Sequence, residues 1–337
     1  MDRREFLGRA LRLGAAAVAG LYGAERLFGS RGGLADPSPL SAYHDGPPSS
    51  PERGRSPVAL AFPQLVAVKA PAGTAARPDT PQKLFSAGIA ALGGMGRFVA
   101  RGESVVVKPN MGWDVGPELA ANTNPLLVKA IIEACLAAGA KRVYVFDHSC
   151  DEWKACYRSS GIEAAAKAAG ATVAPGGSES YYQVVAVKGG AKLTSIKVHE
   201  LILASDCLIN VPVLKSHGGA GMTSALKNLM GTVWDRSTFH YQGLDRCIAE
   251  SALAVRPRLT IVDASRIMLT GGPRGHGGSR YAELGMQILS PDIVAADAAS
   301  AKTFGSTSAA FPYIGMAASL GIGSSDLDHL DIRRVAL

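Results

Sequence analysis

One stretch constrains the fold more than any other. The β-branched run Val105-Val106-Val107 ends in polar residues at Lys108-Pro109-Asn110. Asn124-Pro125 then opens an apolar periodicity at Leu127, Ala130, Ile131, Ala134 and Ala138 that stops at Gly139, and a second apolar run follows over 142–146. A continuous β-branched run suits a strand buried on both faces. Asn before Pro is a helix cap followed by the residue best suited to the first turn, and glycine closes the helix. Strand, helix, strand in this order is a βαβ unit, with parallel strands and a right-handed crossover. The alternation continues on both sides. Strands are expected at 58–68, 171–174, 184–187, 192–198, 207–211, 259–262 and 286–289. Helices are expected from Thr80-Pro81 (Thr80 as cap) to about 92, and over 160–169, 244–255 and 291–304. The pattern predicts an α/β fold: a mostly parallel open sheet with flanking helices and an inserted β-rich portion. With 47% hydrophobic and 19% charged residues, the 337-residue chain has ample core material. Its 39 Gly and 19 Pro follow no period, which excludes collagen-like and low-complexity architectures.

The fold is expected to begin only at 58. Arg3-Arg4 followed by Phe6-Leu7 and a weakly apolar run over 11–22 reads as a Tat-type export signal spanning 1–35, with Gly33-Leu34-Ala35 as a small-x-small cleavage site. The apolar run falls short of the roughly 20 residues a membrane-spanning helix needs. A basic amphipathic helix lying on a membrane, or an uncleaved anchor, is the alternative. Residues 36–57, rich in Pro, Ser, Gly and Arg, form a flexible linker, and 58–337 an α/β domain. The chain carries a net charge of +7, but the signal holds six Arg and three acids, leaving +4 for the rest. Nucleic-acid binding thereby loses its electrostatic support. The expected partners are the Tat export machinery and a small anionic ligand. Membrane contact is expected only through the signal if uncleaved, and the location is periplasmic or otherwise extracytoplasmic.

Ligands of open α/β sheets gather outside the carboxyl ends of the strands, and four such ends here carry polar chemistry. They are Lys108 with Asn110, Asp147 with His148, Asn210 running on to Lys215 and His217, and Asp263. The densest segment is 215–231. Gly218 and Gly219 would let backbone approach a ligand, and Thr223 or Ser224 would cap a short helix whose free N–H groups form an anion cradle. Lys215, Lys227 and Lys108 would supply charge, with Asn110, Asn210 and Asn228 beside them. His217, His240, Asp147 and Asp263 are the candidate acid–base groups. Each feature has an ordinary counterpart: a glycine turn with solvated lysines, or an imidazole bonded locally. Asp292 reads as an acid in a first helical turn, with Asp297 further along. The glycine-rich, cationic segment 271–278 either closes over an anion or is a solvated excursion.

No Walker pattern, G-x-S-x-G or H-E-x-x-H occurs, which disfavours nucleotide hydrolysis and leaves proton transfer or redox chemistry ahead of hydrolysis. A divalent ion, if bound, would use His217 and His240 with Asp147 or Asp263. The five cysteines, without a C-x-x-C pair, support neither a disulfide framework nor an iron–sulfur cluster. Cys150 and Cys156 are spaced so that a pair is open to them, and buried or incidental thiols are the simpler reading. No sequence feature specifies a cofactor.

Taken in order, Lys108-Pro109-Asn110, Thr123-Asn124-Pro125, Gly139-Ala140-Lys141, Asn210-Val211-Pro212-Val213-Leu214-Lys215-Ser216-His217, Met222-Thr223, Leu226-Lys227-Asn228-Leu229-Met230-Gly231, His240, Val262-Asp263 and Ser290-Pro291-Asp292 resemble the domain of unknown function 362 family of bacteria and archaea. The resemblance runs from about 60 to about 300. It implies no particular reaction. Some members of that family carry ferredoxin-like cysteine motifs, which this chain lacks, so an iron–sulfur role is not carried over. The functional expectation is an exported α/β enzyme binding a small phosphate- or carboxylate-bearing ligand in a strand-end cleft. The alternative is a non-catalytic periplasmic binding or cofactor-delivery protein using the same pocket.

Overall fold

The computed structural model describes residues 62–337, so the expected signal, the linker and residues 58–61 of the first expected strand lie outside the described residues. In chain order the first half runs β1 (Leu65–Lys69), α1 (Thr80–Ala91), β2 (Ser104–Pro109), α2 (Pro125–Ala137), β3 (Arg142–Val145), α3 (Trp153–Ser159), α4 (Ile162–Ala168), β4 (Thr172–Val173), β5 (Tyr182–Ala186), β6 (Ser195–His199) and α5 (Glu200–Ala204). The second half runs β7 (Cys207–Val211), β8 (Val213–His217), β9 (Gly221–Thr223), α6 (Ala225–Asn228), α7 (Phe239–Gln242), α8 (Leu244–Ala254), β10 (Leu259–Met268), β11 (Tyr281–Ser290), α9 (Ile293–Thr303), α10 (Pro312–Ser319) and β12 (Ile332–Ala336).

The fold is α/β. Its main sheet has the order β12-β1-β11-β10-β7-β2-β3-β4, with β8 and β9 attached beside β10. Strands β10, β7, β2, β3 and β4 pair in parallel, while β11 runs antiparallel between β1 and β10. The inserted β-rich portion is the separate antiparallel pair β5–β6. Alternation along the central strands divides the core between two faces. Val105, Val107, Val143 and Val145 join one cluster, which Leu127, Val128, Ile131 and Ile132 of α2 complete. Val106, Tyr144 and Phe146 join the other, with Ile248 of α8 and Val294 of α9. Asn124 caps α2 by accepting the Leu126 N–H at 2.9 Å, and Asp292 caps α9 through the N–H groups of Val294 and Ala295 at 2.8 and 3.0 Å.

Five local expectations are corrected. Strand β1 starts at Leu65, and the cap of α1 is Asp79, one residue before Thr80. The helix expected at 160–169 is α4 alone. A separate helix, α3, precedes it, capped by Glu152 and divided from α4 at Gly161, whose φ is 71°. Strand β10 does not stop at Val262: where β7 ends, β8 replaces it as the neighbour, in register at Asp263↔Val213 and Met268↔Lys215. The glycine-rich stretch after Pro212 is no open loop, because β8 and β9 form a hairpin that sets Lys215 opposite Thr223.

Candidate functional site

The carboxyl ends of the neighbouring strands β7, β2 and β3 converge on a buried polar layer. Lys108, at the end of β2, is fully buried and ion-pairs with Asp147 Oδ1 at 2.8 Å, both side chains being at most 3% exposed. Its ammonium also donates to Pro109 O at 2.8 Å and to Asn228 Oδ1 at 3.1 Å. Burial pushes the Lys108 amine down from its ordinary range, and the Asp147 charge opposes that shift. The other Asp147 oxygen accepts the Met111 N–H at 2.7 Å. Asn228 is the hub of the layer. It also accepts from Asn110 Nδ2 at 3.2 Å and donates to Asn210 Oδ1 at 2.8 Å, while Asn210 Nδ2 donates to Ala225 O at 3.0 Å. Gly231 closes the layer, since a Cβ there would lie 1.9 Å from Asp147 Oδ1 and 2.7 Å from Lys108 Nζ.

Above this layer the cations are less well paired. Lys215, buried on β8, donates to Asn110 Oδ1 at 3.1 Å and to the Ala121 carbonyl. Burial pushes its amine down to about 7, with the positive charges of Lys227 and Lys108 adding to the effect and the Asp147 carboxylate opposing it. Lys227, half-buried on α6, is pushed down to about 8, first by burial and then by Arg236 and Lys108. Among the described residues its ammonium has no hydrogen-bond or ion-pair partner. Arg236 donates to the His148 and Ser149 carbonyls and so fixes the turn that leads to Cys150. Cys150 is exposed, and a Cβ on Gly112 would meet its Sγ at 3.9 Å and Asn110 Oδ1 at 3.8 Å.

His217 lies two residues after Lys215 on β8, hence on the same face of the strand. Its Nδ1 accepts the N–H groups of Gly219 and Ala220 at 3.0 and 3.1 Å. Burial, followed by the charges of Lys227, Lys215 and His240, pushes the imidazole down to about 2. It is therefore neutral, with its proton on Nε2. His240 is exposed at the rim, lowered by partial desolvation and then by Lys227 and Arg236. Segment 271–278 is docked: Gly272 N donates to Ser216 Oγ at 3.0 Å, and Arg274 pairs with Asp151 at 3.2 Å.

The structure thus gathers Lys108, Asn110, Asp147, Asn210, Lys215, His217, Lys227, Asn228 and His240 around one strand-end region, and it places the remaining expected residues in other roles. Asp263, inside β10, accepts the N–H groups of Asn124 and Ser265 at 2.9 and 3.1 Å, and burial raises its pKa. It anchors the start of α2. Gly218 and Gly219 form the exposed turn of the β8–β9 hairpin, and Thr223 lies in β9. The expected cradle at the start of α6 is filled by the chain itself. Asp297 accepts the Ala225 and Leu226 N–H groups at 2.6 and 2.9 Å, with burial raising its carboxyl to about 6. The expected metal constellation of His217 and His240 with Asp147 or Asp263 does not form. No three His, Cys, Asp or Glu side chains among the described residues come together as a metal-holding group. His217 Nδ1 is occupied by the turn, and both carboxylates are bonded elsewhere. All five cysteines are free, Cys150 exposed and Cys156 buried. His148 packs flat on Trp234, ring centroids 4.8 Å apart, and bonds the Val233 carbonyl.

Sequence reasoning missed Arg236, Cys150 and the capping role of Asp297. No motif marks Arg236. Asp297 sits mid-helix, where only its contact with a segment 72 positions earlier reveals its role. A family described as Domain of unknown function (DUF362) matches residues 105–302. The chain belongs to this family. Every residue of the gathered site, and Asp297 and Arg236 with them, lies within the DUF362 segment. A thylakoid-associated protein of Synechocystis sp. is 29% identical over 220 residues, covering 61% of this chain and 64% of the relative's length. The chain therefore spans just under two thirds of that relative. Among solved structures, the lactate racemase apoprotein from Thermoanaerobacterium thermosaccharolyticum aligns with a TM-score of 0.39 and 10% identity over 65% of this chain and 54% of that one. A protein from Thermotoga maritima aligns with a TM-score of 0.35 and 13% identity over 57% and 50%.

Proposed function

We propose that this DUF362 protein is an enzyme that binds a small anion, bearing a carboxylate or phosphate, in the cleft at the ends of β2, β3, β7 and β8. The observation that carries this reading is the Lys227 ammonium. It is desolvated, without a partner among the described residues, and set beside Lys215, Lys108 and Arg236. An unpaired cation held among other cations costs stability, and an anionic ligand offsets that cost. Of the three lysines expected to supply charge, Lys227 makes the charge-assisted contact, because the Lys215 ammonium is already engaged by Asn110 and Ala121 and that of Lys108 by Asp147. Titration calorimetry with propionate and with inorganic phosphate tests the assignment. Lys227→Met should weaken both by at least tenfold, as expected for a charge-assisted bond worth about 1.5–3 kcal/mol. Unchanged affinity in a folded variant rejects it.

Enzymatic proton transfer is supported by Lys215, whose amine at about 7 can change protonation at neutral pH. A non-catalytic binding or delivery protein is the second reading, favoured by the 1% exposure of Lys215, which seals it from direct contact with a ligand. Native mass spectrometry with metal analysis of the exported protein separates the two. A retained organic group or a stoichiometric metal favours the enzyme, and an empty protein that binds propionate or phosphate reversibly favours the carrier. Export is part of the proposal and rests on Arg3-Arg4 and the run that follows. Replacing both arginines by lysine should hold the protein in the cytoplasm, as fractionation would detect.

A further inference from the structure

We propose that the site reads two features of its ligand: a carboxylate at Lys227, and an uncharged carbonyl or hydroxyl oxygen beside it that accepts a hydrogen bond from His217 Nε2–H. The ligand class is then a small oxo or hydroxy carboxylate. This rests on the anion-binding role of Lys227 and adds a second recognition element to it.

The argument begins with the β8–β9 turn. The Gly219 and Ala220 N–H groups are obligatory donors, so His217 Nδ1 must act as their acceptor and carries no proton. A neutral imidazole then bears its single proton on Nε2. The groups facing it are Lys227, Lys215 and His240, none of which can help it hold a second proton. Nε2–H has no hydrogen-bond partner among the described residues. It is a fixed, uncharged donor on the face of β8 that also carries Lys215, within the field of the unpaired Lys227 ammonium. A neutral donor suits a neutral oxygen, whereas a second cation would suit a second anionic group.

The same geometry argues against a phosphate as the natural ligand. Phosphate sites commonly use the N–H groups at a helix start, and here the N–H groups of Ala225 and Leu226 are taken by Asp297. One ammonium and one imidazole N–H match the fewer acceptors of a carboxylate with one neighbouring oxygen. Nor can His217 serve as a general base in this state, because Nδ1 is taken by the N–H groups of the turn and Nε2 carries the proton. Its contribution is orientation and polarisation of the neighbouring oxygen.

Pyruvate and propionate, which differ at the carbonyl, provide the test. By calorimetry the native protein should bind pyruvate about three- to tenfold more tightly than propionate, the range of a single neutral hydrogen bond. His217→Asn places Oδ1 where Nδ1 was, preserving the acceptor for the turn, and removes the Nε2–H. It should abolish the preference for pyruvate over propionate. A second readout uses the native protein alone: 15N imidazole shifts should report a neutral Nε2–H tautomer that does not titrate down to about pH 5. Equal affinity for pyruvate and propionate, a preference that survives His217→Asn, or an imidazole titrating near its ordinary pKa overturns this assignment while leaving the Lys227 site standing. Failure of propionate, pyruvate and phosphate alike to bind overturns both.

Discussion

Replacing Asp147 by Asn keeps the shape of the side chain and the acceptor for Met111 N–H, but it removes the carboxylate that pairs with Lys108. That ammonium is fully buried, and its other contacts, Pro109 O and Asn228 Oδ1, are neutral. Breaking a buried ion pair by removing one partner typically costs about 3–5 kcal/mol, because the remaining charge is stranded in low dielectric. Against a total stability of about 5–15 kcal/mol that loss is large. With a urea m-value near the upper end of the usual range of about 1–3 kcal/mol/M, the midpoint should fall by about 1–2 M. Part of the cost is relieved if Lys108 gives up its proton in the folded state. The unfolded chain then binds more protons than the native one, so the variant's stability rises with pH, and its deficit narrows toward alkaline pH until about 10, where the unfolded lysine also loses its proton. Adding Lys108→Met removes the stranded charge and should restore at least half of the lost stability. A midpoint shift of less than about 0.3 M for Asp147→Asn, or a double variant no more stable than the single, would refute the reasoning.

Gly231→Ala should destabilise by at least about 1–3 kcal/mol, seen as a Tm lower by several degrees, since its Cβ would fall 1.9 Å from Asp147 Oδ1. Propionate affinity should decline as pH rises through about 7 to 8, where Lys215 and then Lys227 lose their protons, and calorimetry at pH 6 and pH 9 checks the sign. Glu250 accepts the N–H groups of Ala191, Lys192 and Leu193 at 2.8, 2.9 and 2.8 Å and pairs with Arg246 at 2.5 Å. Burial alone would raise its carboxyl, but these donors hold it down to about 2. Its contribution is therefore present above the ordinary carboxylate pKa of about 4.5 and lost as pH falls toward 2, and Glu250→Gln should flatten that limb of the stability–pH curve.

The sheet was legible because β2, β3 and β7 are buried on both faces and so read as largely apolar runs, with the polar residues Lys108, Asp147 and Asn210 at or just beyond their carboxyl ends. Asn124-Pro125 fixed the start of α2 for the same local reason. What could not be read was set by distant partners. Nothing near Asp263 signals that β10 continues, because its second half is held by β8, some fifty residues earlier in the chain. The glycines at 218, 219 and 221 suggest an open loop, yet the hairpin forms because Lys215 and Thr223 find partners across it. Asp297 looks like an acid buried without reason until Ala225 and Leu226 come within 2.6 and 2.9 Å of it. The grouping of Lys108, Asn110, Asn210, Lys215, Lys227 and Asn228 at the strand ends was anticipated. The division of labour among them was not, because residue type alone does not say which lysine is paired.

That division has a physical logic. A lone ammonium in a desolvated cleft is unstable and would either lose its proton or draw its loop into water. Lys227 is kept in place from below. Asn228, the next residue, is bonded to Lys108, Asn110 and Asn210, and the opposite end of the same short helix is pinned by Asp297. The Lys108–Asp147 pair beneath is compensated, so it adds rigidity to the layer rather than an open charge. Weakening this support should therefore impair anion binding even though none of its residues need touch the ligand. Asn228→Ala should lower propionate affinity together with stability, whereas Lys227→Met should lower affinity alone, because it removes an unpaired, half-buried charge and leaves the hub intact. Urea midpoints measured beside the calorimetry separate the two patterns. If Asn228→Ala binds propionate as tightly as the native chain, the lower layer does not position Lys227, and the cleft is organised by the hairpin alone.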